Sequence, residues 1–189
     1  RRSAAYNKVM ATQANDGSGL SRPVQALVWA TVALMYVCQV SPVLFRLQAR
    51  AGFDALTVVG AAVMLAGIVL ESAADLQKSA QKHRDPHRFC DEGLFSLVRC
   101  PNYLGELLCW TGVFVSGVTA YAGVWQWLAA LAGYLAIAYV MFGGARRLEI
   151  RQNRNYGADP EYQAYVRRVP IILPFVPLYS VERYEWLKG

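Results

Sequence analysis

The sequence predicts an all-α polytopic membrane protein with about four transmembrane helices and a polar C-terminal juxtamembrane segment. Three observations carry this reading. Of the 189 residues, 55% are hydrophobic and only 17% charged, against roughly 25% charged in an ordinary soluble domain. Long uncharged runs recur along the chain, the longest holding 39 residues from Leu107 to Ala145. Mean hydropathy is positive, at +0.22. This composition argues against a soluble enzyme, a disordered chain and a disulfide-stapled secreted module. Two of the four cysteines, Cys38 and Cys109, lie inside apolar runs, so no disulfide framework is read from them.

The first span is predicted near residues 24–45, where 22 residues pass without a charge, enough to cross a hydrocarbon core of about 30 Å. The second lies near 55–74, with 16 uncharged residues to Leu70 and Glu71 placed at the interface. The run from Leu107 to Ala145 would make one helix of about 58 Å, twice what a bilayer needs. It must therefore break, and the small residues of Ser116–Gly123 mark the place. Two spans follow, near 103–118 and 124–143, with Trp125 and Trp127 as an interfacial belt. The domain plan is a polar segment over 1–23, a single membrane domain over 24–178 and a tail over 179–189.

With four crossings, 17 of the 19 Lys and Arg residues fall on the side of the termini and the 71–102 loop. By the positive-inside rule that side is the cytosol, stroma or matrix. The chain begins at Arg1 rather than Met, which fits a removed targeting sequence, and the first 23 residues contain no signal-peptide apolar core. The expected location is an organelle membrane, mitochondrial inner or chloroplast. The net charge of +6 is compatible with nucleic acid, but no binding motif for it is present, and membrane lipids are the expected partner.

The polar residues that invite chemistry cluster on the basic side. Glu71, Asp75, Lys78 and Lys82 fall on one face of a helix, either pairing locally or facing a headgroup or nucleotide. Arg99-Cys100-Pro101-Asn102-Tyr103-Leu104-Gly105-Glu106 ends a loop and opens a helix whose free amides suit an anion or a carboxamide. Glu106 then projects within the membrane, where a carboxylate costs about 2.5–3.5 kcal/mol on insertion scales. After the last span, arginines and tyrosines interleave (Arg146, Arg147, Arg151, Tyr156, Tyr165, Arg168), suiting phosphates and flat rings or an anionic lipid surface equally. His83, His87, Cys90 and Cys100 lack a standard zinc spacing and sit among Lys82, Arg84 and Arg88, so no metal site is expected.

At these residues the chain resembles the membrane reductases related to steroid 5-alpha-reductase and the sterol reductases, most of all their short relatives of unknown function. The resemblance covers roughly residues 55–178. Its marks are Gly93-Leu94-Phe95, the run from Arg99 to Glu106, Glu71 with Asp75-x-Gln77-Lys78, and the closing Tyr156-Gly157, Tyr162, Tyr165, Pro170 and Pro174. Isoprenylcysteine carboxyl methyltransferases share part of this layout. The resemblance implies NADPH as cofactor, with Asp75 and Asn102 at its nicotinamide and ribose end. Glu106 is the catalytic candidate deeper in the pocket, Lys82, Arg146, Arg147 and Arg168 are phosphate candidates, and Tyr165 is a nearby ring. Hydride would pass to a conjugated double bond of a lipid, sterol or quinone-like enone.

The relatives carry further early spans with substrate-polarising groups, and this chain has no counterpart between Val24 and Phe45. Two other readings therefore stand beside the reductase. One is a non-catalytic, reductase-derived subunit of a larger organellar membrane complex. The other is a methyltransferase using S-adenosylmethionine.

Overall fold

The computed structural model describes residues 21–187; the polar segment over 1–20, including its expected loop, lies outside the described residues. Four long helices form it: α1 (Arg22–Gln48), α2 (Ala55–Arg84), α3 (Pro101–Gly117) and α4 (Val124–Tyr156), followed by the short α5 (Pro160–Arg168). Each of the four is long and apolar enough to cross a membrane, α3 together with the 3₁₀ turn Val118–Ala120 that continues it. The long uncharged run breaks at that turn and restarts at Val124, because Gly117 and Gly123 interrupt the helical pattern.

The helices outrun the apolar stretches that announce them. α2 reaches Arg84 rather than stopping near residue 74, and α4 reaches Tyr156 rather than 143. At 30 and 33 residues these helices are about 45 and 50 Å long, so their polar ends stand clear of the hydrocarbon. The first carries Lys78 and Lys82, the second Arg151 and Tyr156. The tail is not separate either: Val181 and Leu187 are buried in the same core as Cys100, Leu107 and Ile171.

α2 and α3 pack antiparallel in backbone contact. The buried positions of α2 recur every seven residues, at Gly60, Gly67, Ala74 and Gln81. α3 answers with Gly105 and Gly112 at the same spacing. A Cβ on Gly60 would stand 2.5 Å from the Gly112 carbonyl oxygen, and one on Gly105 would stand 2.7 Å from both Gly67 O and Glu71 N. Gly67 in turn presses on the backbone of Cys109, and Gly112 on that of Met64. Lipid tails are as apolar as leucine, so helices associate here through close van der Waals contact, which small residues permit. A period of seven in both helices keeps one seam facing the partner. The second close pair is α1 with α4, where Gly133 meets the backbone of Cys38 and Gln39.

One arginine gathers the ends of three helices on the side away from the basic cluster. Arg46 Nη1 donates to Asp54 Oδ2 at 3.3 Å, to the Ser116 carbonyl at 3.0 Å and to Thr119 Oγ1 at 3.0 Å. Asp54 also caps α2, accepting from the Thr57 amide at 2.8 Å, and it accepts from the Thr119 hydroxyl at 2.6 Å. These donors, the Thr119 hydroxyl first and the Thr57 amide next, hold the Asp54 carboxyl well below the ordinary carboxylate range.

Two outcomes are expected. Gly67→Leu and Gly112→Leu drive a side chain into facing backbone, where overpacking costs about 1–3 kcal/mol or more. Thermal unfolding in detergent should show both melting well below wild type. Gly52→Ala, whose Cβ meets nothing within 4 Å, should be unchanged. Equal melting of all three would sink the close-approach account. The second concerns pH. A depressed folded pKa contributes stability that is fully present above the unfolded value near pH 4 and is lost only as pH falls through the folded value. Acid titration of unfolding should therefore show Asp54→Asn less stable than wild type at neutral pH, the gap closing in strong acid.

Candidate functional site

The α2–α3 seam fixes what lies beside it. On α2 the residues Glu71, Asp75, Lys78 and Lys82 follow one another on one face, as their spacing requires. On α3, Asn102 and Glu106 are one turn apart, and Gly105 lies against the backbone and Cβ of Glu71. Antiparallel packing thus lays two polar rows side by side, running from the basic end of the molecule into the membrane.

At the deep end, the side chains of Glu71 and Glu106 come within hydrogen-bonding reach of each other, with Asp75 near enough to add its field. Trp110 Nε1 donates to Glu106 Oε1 at 2.7 Å, so one oxygen of Glu106 is oriented by its own helix. Such a carboxyl pair can hold and pass one proton.

At the shallow end, α2, α3 and α4 enclose a cavity of about 110 Å³. Its cationic walls are Lys78, Lys82, Arg99 and Arg151, and its polar ones Asn102, Gln152, Asn155 and Tyr156. Among the described residues no carboxylate lines it. Lys82 is partly engaged, donating to the carbonyls of Pro86 and Arg88 and to Tyr156 Oη at 3.1 Å. Between the two ends stands Tyr103, whose ring lies 3.4 Å from where a Cβ on Gly144 would be. Arg147 and Arg151 are close enough for the Tyr103 hydroxyl to feel their charge.

Arg99 is the pivotal side chain. It is 2% exposed, and its Nη2 donates to Glu149 Oε1 at 2.8 Å and to the Tyr179 carbonyl. Glu149, also 2% exposed, accepts from the Val181 amide at 2.8 Å and the Glu182 amide at 3.0 Å through its other oxygen. The carboxylate is thus fully satisfied. The guanidinium is not: Nε and Nη1 are buried with no hydrogen-bond partner among the described residues. A buried donor without a partner costs about 1–3 kcal/mol, more for a charged group. Arg99 is one of four cationic residues that line the cavity, so the site fits an anion.

The loop that carries Arg99 is held from three sides. Gly93 adopts φ +60, and the Gln77 amide fills the space a side chain would need, accepting from the Leu94 amide at 2.9 Å. The Arg99 and Cys100 amides bond to the carbonyls of Pro170 and Ile171, both at 2.9 Å. Pro101 then starts α3, which needs no donor at that position. Burial pushes the Cys100 thiol up to about 12 and raises that of Cys90, leaving no reactive thiolate at neutral pH. Among the described residues no group of three His, Cys, Asp or Glu side chains is placed to hold a metal ion.

The structure brings some of the expected site residues together and sets others apart. Lys82 and Asn102 line the cavity, and Asp75 and Glu106 lie along the polar rows that descend from it. Arg147 stands at the edge, near Tyr103. Arg146 turns toward the tail, its Nε donating to the Glu182 carbonyl at 2.9 Å. Arg168 is exposed at the end of α5. Tyr165 is a core side chain, packed on Phe89 and donating to the Phe95 carbonyl at 2.7 Å. Burial raises its hydroxyl far above the ordinary tyrosine range. Arg99 was visible two residues before a helix-starting proline, but nothing local indicates that it turns inward.

A four-span integral membrane protein emerges, with a cation-walled cavity at one interface and a carboxyl pair beneath it. The chain belongs to the DUF1295 family of proteins of unknown function, whose family model matches residues 5–169. No curated protein and no solved structure matches it.

The buried pair yields its own expectation. Glu149→Leu leaves Arg99 charged and unpaired, which costs about 3–5 kcal/mol. In a double-mutant cycle, Arg99→Met with Glu149→Leu should be markedly more stable than the sum of the single losses. Strict additivity would mean the two charges do not depend on each other.

Proposed function

We propose that the protein is a membrane-embedded reductase that uses NADPH to saturate a conjugated C=C bond in a lipid, sterol or quinone-like enone. The observation that supports it is the continuity of the polar rows: an anion-fitting cavity at the interface leads past Asn102 and Tyr103 to a proton-holding carboxyl pair within the membrane. Resemblance to the steroid 5-alpha-reductase relatives runs through the same residues.

NADPH, when bound, supplies the hydride. Lys78, Arg99 and Arg151 hold its phosphate charge, the first two from helix α2 and the loop before α3, the third from α4. Guanidinium groups are suited to this through paired N–H donors on phosphate oxygens. Asn102, in the first turn of α3, offers a carboxamide to the ribose and nicotinamide end, with the free amides of that turn favouring negative charge nearby. Glu106 donates the proton that completes the reduction, and Glu71 replenishes it across their shared contact. Hydride and proton together account for the two hydrogens gained by the double bond. The substrate enters laterally from the lipid, since α2 and α3 border the bilayer directly.

Fluorescence titration of the full chain in detergent with NADPH, with S-adenosylmethionine in parallel, tests this. NADPH should bind with micromolar affinity. Asn102→Ala and Arg151→Ala should each weaken it by about tenfold, in line with loss of a charge-assisted hydrogen bond of about 1.5 kcal/mol. Glu106→Gln should leave NADPH affinity unchanged while abolishing turnover. Binding of S-adenosylmethionine alone would replace the reductase by the methyltransferase reading, and silence toward both would favour the non-catalytic subunit.

A further inference from the structure

A second cavity, of about 460 Å³, lies against a different stretch and face of α4. Leu135, Ala138, Tyr139 and Phe142, spaced as one helical face, form its floor. Its roof is the non-helical strap of residues 178–187, which contributes Leu178, Val181 and Leu187. We propose that this cavity seats one acyl chain of a bilayer phospholipid.

Four observations converge on that occupant. The two tyrosine hydroxyls at its rim are already engaged: Tyr139 donates to the Trp186 carbonyl at 2.9 Å, and Tyr184 accepts from Arg183 at 2.7 Å. A polar ligand would find little to bond, whereas a hydrocarbon chain needs only the apolar walls. Next, the cavity continues the exposed apolar face of a membrane-spanning helix. Leu128, Leu131 and Leu135 run exposed along the uncharged part of α4 and lead into it. Third, the strap is irregular backbone, and several of its polar groups are satisfied within the chain. The Val181 and Glu182 amides bond to Glu149, Leu187 N donates to Tyr184 O at 3.0 Å, and the Trp186 carbonyl accepts from Tyr139. Non-helical backbone is tolerated at hydrocarbon depth only when its groups are satisfied in this way. Finally, the Arg183 guanidinium lies 4.8 Å from the Tyr184 ring centre at the rim, a cation where the lipid phosphate would stand.

The test uses the full chain in phosphatidylcholine liposomes doped with a phosphatidylcholine carrying a photoactivatable diazirine on its acyl chain. After illumination, labelled peptides are mapped by mass spectrometry. Labelling at residues 135–142 and 178–187 should exceed, several-fold, that on the lipid-exposed face of α1 around Leu27 and Leu34. Ala138→Trp, which fills the cavity, should reduce it to the α1 level with helicity unchanged by circular dichroism. Leu135→Trp at the exposed rim serves the same purpose should Ala138→Trp not fold. Labelling no greater than on α1 overturns the proposal in favour of ordinary boundary lipid. So does labelling that persists undiminished in the filled variant. A strap left unlabelled because a second copy covers it, seen as a cross-linked dimer, overturns it as well.

Discussion

The backbone contact between α2 and α3 is the constraint from which the rest of the structure follows. In a bilayer no hydrophobic force draws helices together, so association rests on how closely two backbones can approach. Gly60, Gly67, Gly105 and Gly112 permit an approach that any Cβ would prevent. Four side-chain-free positions thereby fix the register of two helices along their whole length. Register in turn decides which polar residues meet. With Gly67 on Gly105, Glu71 stands beside Glu106, and Lys78 and Asn102 both reach the cavity above them. A shift of one turn would break both arrangements.

A buried charge pair performs the corresponding service for the segments outside the membrane. Arg99 and Glu149 are almost wholly removed from water, where desolvation consumes much of their mutual attraction. Their worth lies in specificity. Glu149 bonds the strap through two amides and the pre-α3 loop through Arg99, so α4, loop and strap take one relative position. Arg99 is at the same time one of the residues that line the cavity. The element that fixes the fold at this end also supplies the electrostatic character of the site.

The membrane spans were legible because hydrophobic length and glycine breaks are local properties of the chain. The positions of Asn102 and Glu106 on α3 were legible for a similar reason: a proline at the first helical position dates the start of the helix and puts both, half-buried, in its early turns. Helix ends were less legible, since α2 and α4 continue as polar helices after the apolar run stops, held by contacts such as Lys82 with Tyr156. The C-terminal region was the least legible. Arg146, Arg147, Arg151 and Arg168 look alike in the sequence, and only tertiary packing sends Arg151 to the cavity and Arg146 to the tail. The resemblance implies Tyr165 as a ring near the phosphate candidates, yet the Phe89 cluster that buries it is assembled from segments far apart in sequence. The inward turn of Arg99 depends on Glu149, fifty residues away.

The seam also separates what packing needs from what it does not. Its outer half, around Gly60 and Gly112, has Met64 and Ser116 as its neighbours and carries no charged side chain on either helix there, with Arg46 of α1 reaching the Ser116 carbonyl from outside the seam. The inner half, around Gly67 and Gly105, is built with the same geometry but carries Glu71 and Glu106. The glycine contacts have the same geometry in both halves, so the close approach itself does not require carboxyl groups, and each costs about 2.5–3.5 kcal/mol to place at bilayer depth. Their position is therefore not explained by stability. It is accounted for by the groups above them: a row that begins in cations and ends in carboxyls is polar in one direction only. A ligand that presents its anionic end at the interface meets a proton source at its other end. That asymmetry, rather than either charged group alone, is what the proposed proton transfer at Glu106 rests on.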